Sequence, residues 1–314
     1  MCLVVSNENN MFIAKEDITV YKQLDKSKSG GYETPYQSFP VKLNSILIPE
    51  DDFVLKFYGS KYQIGRGVIH AYTEVDNNNR LGTYFEAVIK KGTKFWIQDD
   101  LKEVAAEKLY LTDKIASFEN YNKPTNFSDY LEYGVDVYLK DGRKCKVTDS
   151  YNKKDVIGIY GYDDQVTALN HSKPLPFFVK KNLPHNIRVI DTEDLEQLKN
   201  ELENSYDGYC NTKSLRSLGI KSPVLDYCDK LGENWYIPSS GELKKLFKNQ
   251  LRINITLQYL GKPTLGFNWF WSSDLNSAWN AWTYYSADYY CLDGFTSDYL
   301  GINNPILPFL KLDV

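Results

Sequence analysis

Trp235-Tyr236-Ile237-Pro238-Ser239-Ser240-Gly241-Glu242-Leu243 is the stretch that organises the reading of this chain. Ser239-x-x-Glu242 is a capping box: each side chain satisfies a backbone N–H that the first helical turn would leave bare. A helix is therefore predicted to start there and run through Phe247. Downstream, Leu251 to Leu260 has the composition of a shorter helix, closed by Gly261. Upstream, Ser222-Pro223 predicts a helix through Tyr227, because proline is tolerated in a first turn. Asp191 to Asn204 carries Leu195, Leu198 and Leu202 at helical spacing with acids at its start, and predicts another. After Gly261 the helical period is lost, and Phe267 to Leu312 reads as short strands joined by long loops.

Further toward the N-terminus the pattern is β. Val135–Leu139, Asp141-Gly142 and Lys144–Thr148 form a hairpin signal, Asp-Gly supplying the positive φ angles of a two-residue turn. Val156–Tyr160 and Val166–Leu169 add two strands. Ala116 to Tyr130 lacks periodicity and is rich in Asn, Lys, Pro, Thr and Ser, so it reads as a linker. Before it, Gly67–Tyr72, Tyr84–Ile89 and Thr93–Ile97 read as strands. Turns are expected at Asp76–Asn79 and Lys90–Gly92, and a short helix or turn at Asp99–Lys108. The expectation is an α+β chain with a mainly-β N-terminal domain (1–115), a linker (116–130) and a C-terminal domain (131–314) with a few helices and irregular short strands.

The bulk properties exclude little. The net charge of −4 gives no electrostatic reason to expect nucleic acid or an anionic membrane as partner. No window holds the roughly 18 apolar residues of a membrane span. The opening MCLVVSNENNMF has no basic region before its short apolar run, so no secretory signal is expected, and the cytoplasm or a virus particle is the expected location. The five cysteines (Cys2, Cys145, Cys210, Cys228, Cys291) form no CxxC pair, and the three histidines are far apart, so no metal or other cofactor is expected.

Aromatic content is the anomaly, at 15% with 25 tyrosines. Five of the six tryptophans (Trp235, Trp269, Trp271, Trp279, Trp282) lie in the last third. From Pro263 to Leu310 there is no Lys, Arg, Glu, Gln, His, Met or Val. Part of this segment must be core, because large aromatics usually bury. The remainder uses a paratope-like alphabet of Tyr, Ser, Asn and Asp, without the long side chains that lose most entropy on ordering. The expected recognition surface is Asp274, Asn276, Asn280, Tyr284, Tyr285, Asp288, Tyr289, Tyr290, Asp293, Phe295, Asp298, Tyr299 and Asn303. Trp235, Trp271 and Trp282 are the expected scaffold.

Four pieces occur in order: Asp207-Gly208-Tyr209-Cys210-Asn211-Thr212, the Trp235–Leu243 stretch, Phe270-Trp271-Ser272-Ser273 and Ala281-Trp282. Together they resemble the bacterial C-type-lectin-like domains related to formylglycine-generating enzyme and to the Bacteroidetes major paralogous domains. The resemblance spans roughly residues 128 to 314; residues 1 to 115 look like uncharacterised gut-bacterial and phage proteins. It implies a lectin-like fold that presents a protein or glycan ligand site, with the N-terminal domain docking to a larger assembly. The group includes the variable proteins of diversity-generating retroelements. In those, adenine-directed mutagenesis of Asn-type codons cannot produce Lys, Glu, Gln, Met or Trp, and residues 272–304 are compatible with that rule when their tryptophans are fixed scaffold. It could produce Arg, His and Val, so their absence is not explained by it. Where the family often closes on Arg-Pro-Val, this chain has Pro305-Ile306-Leu307-Pro308-Phe309. The calcium-site motifs of sugar-binding lectins are present only as the fragments Trp279-Asn280 and Asn304-Pro305.

Other functional classes leave weaker traces. GxSxG, HExxH and GxxxxGK are absent. The reactive cysteine pair of formylglycine-generating enzymes is not reproduced by Cys210, Cys228 and Cys291, and an oxidase is the third reading. His70 and Glu86 are the available acid–base couple of the N-terminal region. The expected function is a non-enzymatic binding or display protein, with a structural virion or assembly protein as the alternative.

Overall fold

A computed structural model describes residues 3–5, 10–35, 39–51, 53–58, 61–75, 82–116, 125–177, 190, 192–217, 219, 222–277, 280–286 and 295–312. The chain is mixed and mostly β, with antiparallel sheets, and divides into two compact units, Met1–Asp129 and Tyr130–Val314. No helix among the described residues is long and apolar enough to cross a membrane.

The described elements of the N-terminal unit are all strands. A small antiparallel sheet joins β1 (Leu3–Val5), β7 (Val54–Tyr58) and β8 (Lys61–Arg66). The larger one begins with β2 (Met11–Ile13) beside β11 (Lys94–Ile97) and β12 (Glu103–Ala106). It continues through β9 (Ile69–Tyr72), β3 (Ile18–Lys26), β10 (Thr83–Ile89), β13 (Leu109–Ile115) and β6 (Ser45–Leu47). The short β4 (Tyr32–Glu33) and β5 (Pro40–Val41) extend from the end of β3. Val20, Leu24, Phe85 and Ala87 fill one face of the central pair, as alternation along a half-buried strand requires.

The C-terminal unit contains a six-stranded antiparallel sheet. It comprises β14 (Val137–Leu139), β15 (Lys144–Cys145), β16 (Val156–Tyr162), β17 (Gln165–Ala168), β19 (Trp235–Tyr236) and β24 (Phe309–Leu310). The Pro305–Phe309 stretch thus leads into a strand that pairs on one side with Val166–Thr167 and on the other with Trp235–Tyr236. The helices are α1 (Leu195–Glu203), α2 (Gly208–Ser217), α3 (Pro223–Leu231), α4 (Ser240–Phe247) and α5 (Gln250–Tyr259). A second sheet joins β20 (Trp269–Leu275), β21 (Asn280–Tyr285) and β22 (Phe295–Tyr299), and β18 (Leu175–Pro176) pairs with β23 (Asn303–Asn304).

Several expectations are corrected. Asp99–Lys108 is not helical: Asp99–Leu101 turns, with Leu101 at φ 63°, and β12 follows antiparallel to β11. Val104, Ala105 and Ala106 are buried there, and burial in the sheet overrides the helix propensity of alanine. The Asp141-Gly142 hairpin uses a three-residue loop. Gly142 N–H donates to Leu139 O and Leu139 N–H to Arg143 O, and only Gly142 takes a positive φ. The first helix starts at Leu195, because the Asp194 carboxylate accepts the N–H groups of Glu196 and Gln197. α3 extends past Tyr227 to Leu231, and α2 is absent from the sequence reading. Asp76–Asn79 and residues 117–124 of the expected linker lie outside the described residues.

Candidate functional site

The capping box lies where three separate sequence pieces meet. Ser239 N–H donates to Glu242 Oε2 (2.7 Å) and Ser239 Oγ to the same oxygen (3.0 Å), and Tyr236 OH donates to Oε1 (2.8 Å). Burial pushes the Glu242 carboxyl above the ordinary carboxylate range, and these hydrogen bonds hold it back. One residue into the helix, Ser240 N–H donates to Asp274 Oδ2 at 2.7 Å. Oδ1 of Asp274 accepts from Ser205 Oγ (2.8 Å) and from Asn211 Nδ2 (3.2 Å), which also donates to Ser273 Oγ (3.1 Å). The Ser240 and Ser272 hydroxyls are 3.0 Å apart. An anion at the open N-terminus of a helix complements its bare N–H groups and its dipole.

Two glycines make this meeting possible. A Cβ on Gly208 would sit 2.7 Å from Ser239 N, and one on Gly241 would sit 2.5 Å from Glu203 O and Ser205 O. The network is closed. Asp274 is 3% exposed and its bonds tie α2, α4 and β20 together. The expectation that Asp274 belongs to a recognition surface is therefore corrected: it is a framework residue.

The β20–β21–β22 sheet separates a second set of expectations. Trp282, Tyr284, Phe270 and Phe295 pack into one hydrophobic cluster, and Ala281, Trp271 and Leu275 into another. Trp271 Nε1 donates to Leu175 O (2.8 Å) and Trp282 Nε1 to Ile190 O (2.9 Å), so both indoles are buried with their N–H satisfied. Trp235 is also buried. Tyr284 stacks on Phe247 with centroids 5.6 Å apart and meets Phe295 edge-on at 5.1 Å. Tyr284 is 2% exposed and Phe295 0%, so neither belongs to a surface. Alternation explains the correction: residues 280, 282 and 284 share one face of β21, and that face is core.

The remaining candidates lie at the two ends of this sheet. At one end, Asn276 N–H and Ser277 N–H donate to Asn280 O, and Asn280 N–H donates to Ser277 Oγ. Asn280 is opposite Tyr299 across the strands. Gly301, Ile302 and Asn303 are exposed, and the partly buried Asp298 accepts from Thr283 Oγ1 (3.2 Å) and Asn304 Nδ2 (2.9 Å). At the other end Tyr285 packs on Trp269, centroids 4.6 Å apart. Five residue steps of strand separate Asn280 from Tyr285, about 17 Å. The expected surface is thus two patches with core between them. Asp288, Tyr289, Tyr290 and Asp293 lie outside the described residues, as does the side chain of Tyr299.

Comparison with known proteins adds little to this geometry. No family model and no curated protein matches the chain. Among solved structures, a fimbrial protein from Bacteroides ovatus ATCC 8483 is similar at a TM-score of 0.41 and 14% identity, over 95% of this chain and 71% of that one.

The residues first considered for catalysis are not assembled. Cys228 is buried on α3 and burial pushes its thiol up to about 12, so it carries no thiolate at neutral pH. Cys210 is exposed on α2, Cys145 is half-buried, and all three are free. Cys291 lies outside the described residues. In the N-terminal unit β3 runs between β9 and β10, so His70 and Glu86 stand two strand spacings apart, roughly 10 Å. Sequence reading missed Ser205, Asn211 and Ser240 as partners of Asp274. The available signal was the serine pair Ser239-Ser240 at a helix start facing Ser272-Ser273-Asp274, polar residues in otherwise apolar surroundings.

Proposed function

We propose that the Tyr130–Val314 unit is a non-enzymatic, C-type-lectin-like binding module that recognises a protein or glycan ligand through the ends of its three-stranded sheet. One observation carries this reading. β21 is covered on both sides by apolar side chains, while exposed Gly301, Ile302 and Asn303 and half-buried Asn276, Ser277 and Asn280 gather at its Asn280 end. A framework of that kind tolerates changes at its ends without repacking, as paratope loops do on a sandwich. The resemblance carried by Asp207–Thr212, Trp235–Leu243, Phe270–Ser273 and Ala281-Trp282 supports it further, because the first three of those pieces meet in the buried network around Asp274 and Glu242. In this reading the N-terminal β unit docks the module to a larger assembly.

The direct test is an array of glycans and peptides probed with the full chain. A defined set of bound ligands is expected, and a blank array contradicts the reading. Diversification of the module by a retroelement is tested on the gene in related isolates. Substitutions should fall on Asn-type codons between Asp274 and Asn304 and spare Trp271 and Trp282. Substitutions scattered evenly along the gene would refute that part.

A further inference from the structure

The N-terminal unit holds a cavity of about 430 Å³, within the range of small-molecule sites. Its lining mixes polar and apolar surface about equally, and Phe39, Ile46 and Ile48 leave about half of their surface in water (51%, 50% and 58%). Two lining residues are out of place. Lys22 lies on the buried face of β3, between Val20 and Leu24 and opposite Phe85, where alternation calls for an apolar side chain. Its Nζ donates to His70 O at 2.7 Å. Neither ring nitrogen of His70 has a hydrogen-bond partner among the described residues, although both are out of water.

Such groups cost free energy when left unmet, an unpaired charge more than a neutral polar atom. Burial, and for His70 also the nearby Lys22 charge, lowers both groups, Lys22 to about 8 and His70 to about 4. At neutral pH Lys22 therefore remains mostly an ammonium, while His70 is a neutral ring with one donor and one acceptor.

We propose that this cavity binds a small amphiphile with a carboxylate head, of the fatty-acid class. The carboxylate accepts from the Lys22 ammonium beside the His70 ring, and its chain covers Phe39, Ile46 and Ile48. Glu50 and Asp51 also line the cavity, but both are exposed, where water and salt screen them; Lys22 is not screened in that way. The volume leaves room to spare for a chain of about eight carbons.

Calorimetric titration of the full-length protein with octanoate, octanol and octylamine separates the possibilities. Octanoate is expected to bind one-to-one, at least tenfold tighter than octanol, with octylamine weakest. Lys22→Met is expected to remove the preference for octanoate over octanol, and Ile46→Asp to weaken both. Equal affinity for octanoate and octanol, no binding, or a preference that survives in K22M would overturn the proposal. If K22M does not fold, the imidazole proton resonances of His70 in the wild-type protein decide. They should shift on adding octanoate but not on adding octylamine, and unmoved resonances count against the site.

Discussion

Asp274 and Lys22 are both ionisable groups, one buried and one half-buried, one in each unit, and their surroundings are opposite. Asp274 accepts hydrogen bonds from Ser205, Asn211 and the first N–H of α4, and without it Asn211 would keep only Ser273 while the buried Ser205 hydroxyl and Ser240 N–H would lose this acceptor. Lys22 lies beside Val20, Leu24 and Phe85, and among the described residues its one acceptor is the His70 carbonyl. The contrast separates two uses of buried polarity. A fully met group fixes the architecture, whereas an under-met one in a cavity is a place for something else to bind. A sequence shows that both are polar but not which is met, since that depends on residues tens of positions away.

The largest effects should fall on the met side of this comparison. Asp274→Ala is expected to cost roughly 3–5 kcal/mol, because it leaves several buried donors unpaired. Tyr284→Ala should cost a similar amount, about 3–5 kcal/mol, through the cavity left between Phe247 and Phe295. Denaturant unfolding of both variants checks this. A loss below about 1 kcal/mol in either would return that residue to the surface.

Lys22→Met should act in the other direction, stabilising the protein by roughly 1–3 kcal/mol at neutral pH, since it replaces a poorly solvated charge by an apolar chain. The pH dependence follows from its lowered value, about 8 against 10.5 in the unfolded chain. Between those two values the unfolded state holds the proton more tightly, so wild-type stability rises with pH over that window. The advantage of K22M should therefore shrink from pH 8 to pH 10.5. Melting curves across that range that stay parallel would show that Lys22 is well solvated.

Much of the chain was legible in advance. The Ser239/Glu242 capping box, the Ser222-Pro223 start and the strands at Ile69–Tyr72, Thr83–Ile89 and Val156–Tyr162 depend on neighbours within a few residues, and they form. α2 was invisible because its buried positions are Gly208, Thr212 and Leu215, of which only one is strongly apolar. The proposed display surface was half legible. Composition marked the segment, but only the pairing of β20 with β21 and β22 shows that Tyr284 and Phe295 face the core while Asn276, Asn280 and Asn303 lie at the sheet's ends. Lys22 interrupts the Ile18-x-Val20-x-Lys22-x-Leu24 alternation, a signal legible in the sequence alone.

Smaller effects are expected at the sheet's ends. Tyr285→Ala should cost about 0.5–1.5 kcal/mol for the lost packing on Trp269. Asn303→Ala should stay within roughly 0.5 kcal/mol of wild type. Thermal melts check both, and a large loss at Asn303 would make that end part of the framework.

The measurement closest to the central claim compares the wild-type chain with the Asn276→Ala, Asn280→Ala, Asn303→Ala triple variant on one glycan and peptide array, after melting curves show the variant folded. The account predicts an unchanged fold and loss of the wild-type array signals. A folded triple variant that keeps every signal would contradict it.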